Sequence, residues 1–317
     1  MSECNQGFAY EEHVGRQVAG RSVLEHLAGR YRHSTVTEWE WRIRCGQVRL
    51  DGLRASSADR LRAGQRLIWN RPPWREPLVP LGFAVLYADA DVLAVAKPSG
   101  LPTMPAGGFL THTLFWQVRR RFAGASPVHR LGRGTSGVVL FARSARARRS
   151  LACAWRAEQV ERIYLGLVDG RPDRRRFSID LPIGPVPHPL LGTVYGASAG
   201  GRSARTIVHT LRAERQASLV EVRIDTGRSH QIRIHLAAAG HPLVGDPLYG
   251  PGGLPRPGSR ALPGDGGYLL HAARLVFPHP ASAALTRVEC APPPGLRPPH
   301  RVRHRRHMLR VPSVGDG

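Results

Sequence analysis

The residues of this 317-residue chain best suited to chemistry are cations and hydroxyls, and their densest cluster holds no acid. His129-Arg130-Leu131-Gly132-Arg133-Gly134-Thr135-Ser136-Gly137 offers two guanidinium groups and two hydroxyls on a glycine-rich turn. Such a set can hold phosphate oxygens by charge-assisted and neutral hydrogen bonds. Tyr164 and Arg233 add a phenol and a further cation. Nucleophilic or acid–base chemistry also needs a proton acceptor, commonly a carboxylate. Between Asp91 and Glu158 the chain has no acidic residue at all. Cys4, Cys45, Cys153 and Cys290 are scattered with no Cys-x-x-Cys pairing, which argues against a zinc site and against a disulfide framework.

The nonapeptide resembles the signature of the RluA-type pseudouridine synthases, His-Arg-Leu-Asp-x-x-Thr-Ser-Gly, with Gly132 where that family has its catalytic aspartate. Other blocks follow the same family's order over roughly residues 83–280. The first is Val85-Leu86-Tyr87-Ala88-Asp89-Ala90-Asp91 with Val95-Ala96-Lys97-Pro98-Ser99-Gly100-Leu101-Pro102. Arg162-Ile163-Tyr164-Leu165-Gly166-Leu167-Val168 is similar to the strand with the family's tyrosine. Thr226-Gly227-Arg228-Ser229-His230-Gln231-Ile232-Arg233-Ile234-His235 leads into Gly245-Asp246-Pro247-Leu248-Tyr249-Gly250, and Leu270-His271-Ala272-Ala273-Arg274-Leu275 closes the series.

The resemblance implies an RNA-directed isomerisation. The uracil–ribose C–N bond breaks, the base turns and it rejoins through C5, after the uridine has been flipped from its stack. No cofactor or metal is implied. Tyr164 would stack near the base and help remove the C5 proton, and Arg233 would pair with the catalytic carboxylate and keep it ionised. Arg130, Arg133, Thr135, Arg228 and His230 would form the RNA-binding surface, with Thr135, Ser136 and Gly137 shaping the turn. His129 is expected to be structural, since the mechanism assigns it no proton.

Gly132 changes these expectations. It can supply neither nucleophile nor base, so Arg233 is expected to lose its counter-ion and leave a cationic pocket, with room for water where the side chain is missing. Asp225 and Asp246 are the candidates for a carboxylate supplied from elsewhere. The reading favoured is a non-catalytic, RNA-binding homologue; the alternative is an active synthase using such a borrowed carboxylate.

The positioning elements form an α+β fold: a mainly antiparallel-sheet catalytic domain over residues 80–291, with helices expected on one side. Residues 1–19 read as an arm and 71–79 as a Pro-rich linker. Over 20–70, Ser22 and Thr37 can cap two short helices, Val36, Trp39 and Ile43 share one side of the second, and a strand follows into Asp51-Gly52. That pattern resembles a small α/β S4 RNA-binding module, in which Arg42, Arg44 and Arg49 would contact phosphate. Residues 292–317 read as a basic tail; His300, His304 and His307 are spaced for one helix face, but contact with RNA phosphate is the better reading than a metal site.

Composition agrees with an RNA partner. Forty-six basic residues against 23 acidic ones give a net charge of +23, a field that favours polyanions. Nearly all the bases are arginine, with Lys97 the single lysine, as GC-rich coding would produce; that bias explains the choice of arginine but not the excess of positive charge. No apolar run approaches the roughly 18 residues of a membrane span, and the first residues lack a signal peptide's pattern. A cytoplasmic protein acting on structured RNA, rRNA or tRNA, is therefore the expectation, and the family resemblance implies a monomer.

Overall fold

The computed structural model describes residues 4–31 and 33–298. The chain divides after Leu78 into two compact units.

In the N-terminal unit, helices α1 (Val23–Arg30) and α2 (Val36–Arg44) accompany a four-stranded antiparallel sheet. Its strands are β1 (Phe8–His13), β2 (Val48–Leu50), β3 (Leu53–Arg54) and β4 (Arg66–Arg71), in the order β1-β4-β2-β3. Both helices start on a capping box, Ser22 with Glu25 and Thr35 with Glu38, so the orphan amides of each first turn are satisfied locally. The second cap is Thr35 rather than Thr37: the Thr35 side chain accepts the Glu38 amide and Glu38 reaches back to the Thr35 amide, which places Thr37 inside the first turn. Trp39 and Ile43 are buried with Val23, Leu27, Val48 and Leu67, whereas Val36 lies in the first turn and is 56% exposed. Residues 8–13, expected in an unstructured arm, instead pair along β4 from Phe8↔Arg71 to His13↔Arg66. Asp51 and Gly52 both take positive φ, as a two-residue hairpin turn requires.

The second unit is built on β5 (Ala84–Ala88), β6 (Val92–Lys97), β7 (Ser126–Pro127), β8 (Ser136–Ala142), β9 (Glu161–Asp169), β10 (Arg176–Asp180), β11 (Ile183–His188), β12 (Gly192–Ala197), β13 (Arg205–Ala213), β14 (Ala217–Ile224), β15 (Leu270–Pro278) and β16 (Leu285–Glu289). Ten of these form one sheet along the path β10-β13-β14-β9-β15-β8-β6-β5, with β16 on β15 and β7 on β8; β11 and β12 are a separate hairpin. All pairings in the large sheet are antiparallel except β8 with β15.

Helices α3 (Leu114–Arg121) and α5 (Gln231–Ala238) contribute to the core on one face, with Leu93, Val95, Val139, Phe141 and Tyr164. Helix α4 (Ala145–Arg156) covers the other face with Val92, Ala94, Val138 and Leu140. Helices thus lie on both faces rather than one. The reason is in the central strands: β6 and β8 are apolar at successive positions, and a strand buried on both sides needs cover on both. Leu296 is 1% exposed and packs with Leu165 and Leu219, so the first residues of the expected tail fold back on the domain, while His300, His304 and His307 lie outside the described residues. Among the described residues no helix is long and apolar enough to cross a membrane.

The parallel contact, Ser136↔His271 and Ala272↔Gly137, brings the end of the signature against the closing block. Gly137 sits there at φ 113°, and a Cβ would run into the Ala272 backbone. Gly137→Ala is expected to destabilise the protein by about 2 kcal/mol or more, from backbone strain plus overpacking. Urea unfolding measures this; a stability within experimental error of the parent would contradict the packing described.

Candidate active site

The signature turn is held mainly by its backbone. Thr103 Oγ1 donates to the Leu131 carbonyl (2.8 Å) and accepts from the Leu131 amide (3.2 Å). Lys97 Nζ donates to the carbonyls of Pro98 (2.9 Å), Leu101 (2.6 Å) and Arg133 (3.1 Å). The Gly100 amide also reaches the Arg133 carbonyl (2.8 Å), and the Ser99 hydroxyl reaches that of Gly134 (2.7 Å). The Lys-Pro-Ser-Gly-Leu block is therefore a clamp on residues 131–134, which explains why one buried lysine sits there among so many arginines. His129 is a neutral structural acceptor: its Nε2 accepts from the Leu140 amide (3.0 Å) and its ring stacks on Trp155 (centroids 4.7 Å). Burial, helped by the Arg162 charge, pushes its pKa down to about 3.

Gly132 is exposed, and it is not among the glycines held at positive φ, so the backbone there accepts a side chain. A Cβ at this position would lie 3.0 Å from the Tyr268 hydroxyl and 3.6 Å from Thr135 Oγ1. Tyr268, 4% exposed, thus puts a phenol where a side chain on residue 132 would begin, and the expected water-filled opening is at least partly closed. Its hydroxyl also meets Thr135 Oγ1 at 3.3 Å.

Arg233, expected to lack a counter-ion, has one. On α5 and 2% exposed, it makes a bidentate pair with Asp246, Nε to Oδ2 and Nη2 to Oδ1, both 2.7 Å. Nη1 donates to the Pro263 carbonyl (3.1 Å), and the guanidinium lies over the rings of Tyr268 (4.3 Å) and Tyr249 (4.9 Å). Burial works against its charge, but the Asp246 hydrogen bonds prevail and hold its pKa above the ordinary value. Asp246 Oδ1 also accepts the amides of Leu248 (2.9 Å) and Tyr249 (3.1 Å). With its side chain fully buried and this set of donors, Asp246 is a structural turn residue, poorly placed to attack a sugar. Asp225 accepts from Arg223 Nε (3.3 Å), while its main-chain carbonyl takes Arg162 Nη2 (2.7 Å).

Tyr164, on β9, is 9% exposed and belongs to the same apolar cluster as Leu131, Ile224 and Tyr268. Burial raises its hydroxyl pKa, and the Arg162 charge partly opposes that. Arg162, two residues earlier and hence on the same strand face, is 7% exposed with Nε lacking a partner. Arg130 is exposed, and its charge acts on His230. His230, at φ 55° and bonded through Nδ1 to the Tyr249 hydroxyl (2.8 Å), is pulled down to about 4, by burial first and then by Arg233.

Arg133 Nε donates to the Gly264 carbonyl (2.7 Å), with Nη2 3.4 Å from Asp265. Arg228 Nε donates to the Ser203 carbonyl (3.0 Å). Thr135 is buried, so it shapes the turn and cannot face RNA. Arg42, Arg44 and Arg49 do not form one patch. Arg42 lies against the Trp39 and Trp69 rings, whereas Arg49 pairs with Ile68 and alternates onto the opposite sheet face from Trp69. No group of three or more potential metal ligands occurs among the described residues.

Three residues went unassigned at the sequence level: Lys97, Arg162 and Tyr268. Arg162 carried a usable signal, its period-two spacing from Tyr164. Tyr268 had none, because it reaches residue 132 only through folding of the 262–268 segment.

Residues 91–238 match the family described as RNA pseudouridylate synthase. The chain is 41% identical over 279 residues to a protein of Synechocystis named as an uncharacterized RNA pseudouridine synthase, covering 87% of this chain and 96% of that one. It is 36% identical to RNA pseudouridine synthase 5 of Arabidopsis thaliana (87% and 90% covered). Identity to the ribosomal large subunit pseudouridine synthase D of Xylella fastidiosa is 33%, with 93% of each chain covered. Among solved structures, human RNA pseudouridylate synthase domain containing 1 superposes with a TM-score of 0.57 at 27% identity, over 71% of this chain and 91% of that one.

Burial pulls the Lys97 ammonium from its ordinary 10.5 down to about 7. Between those values the unfolded chain binds more protons than the folded one, so the contribution of this group makes stability rise as pH climbs from about 7 towards 10.5. Lys97→Met is expected to cost about 1–3 kcal/mol at neutral pH by leaving carbonyls without a donor. Relative to this variant, the parent should gain stability over the same pH window. Urea unfolding at several pH values checks both, and parallel profiles would contradict the assignment.

Proposed function

The chain belongs to the RluA-type RNA pseudouridine synthase family, and from that premise we propose that it binds structured RNA and holds a flipped uridine without isomerising it. The observation that carries this reading is the pairing at residue 132: glycine replaces the carboxylate, and the Tyr268 hydroxyl stands 3.0 Å from where a Cβ would be. The cation that would keep such a carboxylate ionised is already neutralised by Asp246. Losing the group that forms the covalent or proton-transfer step typically costs several orders of magnitude in rate, which positioning alone does not restore. Arg130, Arg133 and Arg228 remain to meet the phosphates around the base, and phosphate contacts give affinity without reading sequence. Tyr164 would line the pocket for the base.

A second reading, an active synthase with a borrowed carboxylate, is favoured by one feature. Asp265 lies 3.4 Å from Arg133 of the signature with its side chain 41% exposed, making it better placed than Asp225 or Asp246. The experiment that separates the two readings is tritium release from rRNA and tRNA carrying tritium at uridine C5. The parent protein is expected to bind these RNAs and release nothing. Gly132→Asp together with Tyr268→Phe, which removes the opposing hydroxyl, is expected to release tritium. Release by the parent overturns the proposal, and its loss in Asp265→Asn would establish the second reading.

A further inference from the structure

The N-terminal unit carries a cluster of indole and guanidinium groups that the chemistry at residue 132 does not use. Arg42 lies against both Trp39 (4.6 Å to the ring) and Trp69 (4.9 Å), whose rings meet edge-on at 4.8 Å, and Arg71 lies against Trp69 (5.9 Å) and Trp74 (3.5 Å). Tyr10 stacks on Trp69 with centroids 5.2 Å apart and planes 21° from parallel, and Phe8 meets the edge of Tyr10 at 4.9 Å.

The strand pairings put these groups on one face. Leu67, Trp69 and Arg71 alternate along β4, opposite Glu12, Tyr10 and Phe8 of β1. Leu67 is core, and Glu12 bonds His26 of α1, so this face is first covered by the helices and then continues beyond them as an open shelf. Phe8 and Tyr10 are 43% and 40% exposed there.

Sheet stabilisation alone would account for cross-strand aromatic pairs. It does not account for the charges. Among the described residues the ion pairs of this unit use Glu11, Glu12 and Glu25, and none involves Arg42 or Arg71. Glu38, the acid whose charge acts on Arg42, is engaged in capping α2. Two guanidinium groups without a carboxylate, set among flat rings with two more rings exposed, complement a ligand that offers both π-faces and anions along its length. Single-stranded nucleic acid has that chemistry: bases stack on aromatic and arginine planes while phosphates meet the cations.

We propose that the shelf formed by Phe8, Tyr10, Trp69, Arg71 and Trp74 is a base-stacking site for single-stranded RNA. It differs from a phosphate-contact surface in reading rings rather than charge alone, and it is independent of whether the chain isomerises uridine.

The test uses the full chain and a labelled single-stranded oligouridylate containing 4-thiouridine. Phe8→Leu combined with Tyr10→Leu keeps apolar area on the strand but removes the flat faces. It is expected to weaken binding about tenfold or more with an unchanged salt slope and only a slightly lowered melting temperature. Arg71→Gln should lower both the affinity and the salt slope, the latter by about one. Tyr10→Trp should bind as tightly as the parent. Crosslinks are expected on residues 8, 10 or 69. Parent-like affinity of the leucine variant, or crosslinks confined to residues beyond 78, would overturn the proposal and leave the shelf to a protein partner.

Discussion

The buried ion pair between Arg233 and Asp246 is the constraint on which the rest of the site depends. Taking two charges out of water is expensive, and the cost is recovered only where geometry is good and the remaining hydrogen-bonding capacity is met. Here it is met from several directions. Helix α5 supplies the guanidinium, the turn at 246–249 supplies the carboxylate with two amides closing on it, and the Pro263 carbonyl takes a third donor. Tyr249 and Tyr268 cover the faces of the guanidinium. One interaction therefore fixes the helix, the turn and the segment that reaches back over the signature.

That arrangement decides what the pocket can do. Arg233 already has a partner, and the Tyr268 hydroxyl stands 3.0 Å from where a Cβ on residue 132 would be. The signature turn nonetheless keeps its shape. Lys97, Thr103 and Ser99 hold it through main-chain atoms, which are indifferent to the side chain at 132. The turn is thus held independently of the side chain at 132, and the proposed reading of the site as a grip on RNA rests on that independence.

Much of this was legible in the sequence, and the limits have identifiable causes. The apolar runs at 92–96 and 137–141 and the block order fixed the α+β class, and Ser22 with Glu25 announced the first helix. The second cap was not legible, since Thr35 and Thr37 each have a glutamate three residues on, Glu38 and Glu40, and the structure uses Thr35. Residues 8–13 were missed because their partner, β4, lies more than fifty residues away, and pairing at that separation leaves no local periodicity. At the site, the charges of Arg233 and Arg130 both act on His230. The counter-ion of Arg233 did not follow from the motif: it depends on a turn that local sequence alone reads as structural. Arg42, Arg44 and Arg49 looked like one phosphate-binding set, yet alternation along the strands separates Arg42 from Arg49.

The most direct test of the claim that Arg233 is neutralised within the protein is a double-mutant cycle on the ion pair, read by urea unfolding without RNA. Arg233→Met and Asp246→Asn should each cost about 3–5 kcal/mol, because each leaves a buried group unpaired. The double variant should cost little more than either alone, giving a large coupling energy. Small single effects that simply add would contradict the account and return Arg233 to the pool of charges available to substrate.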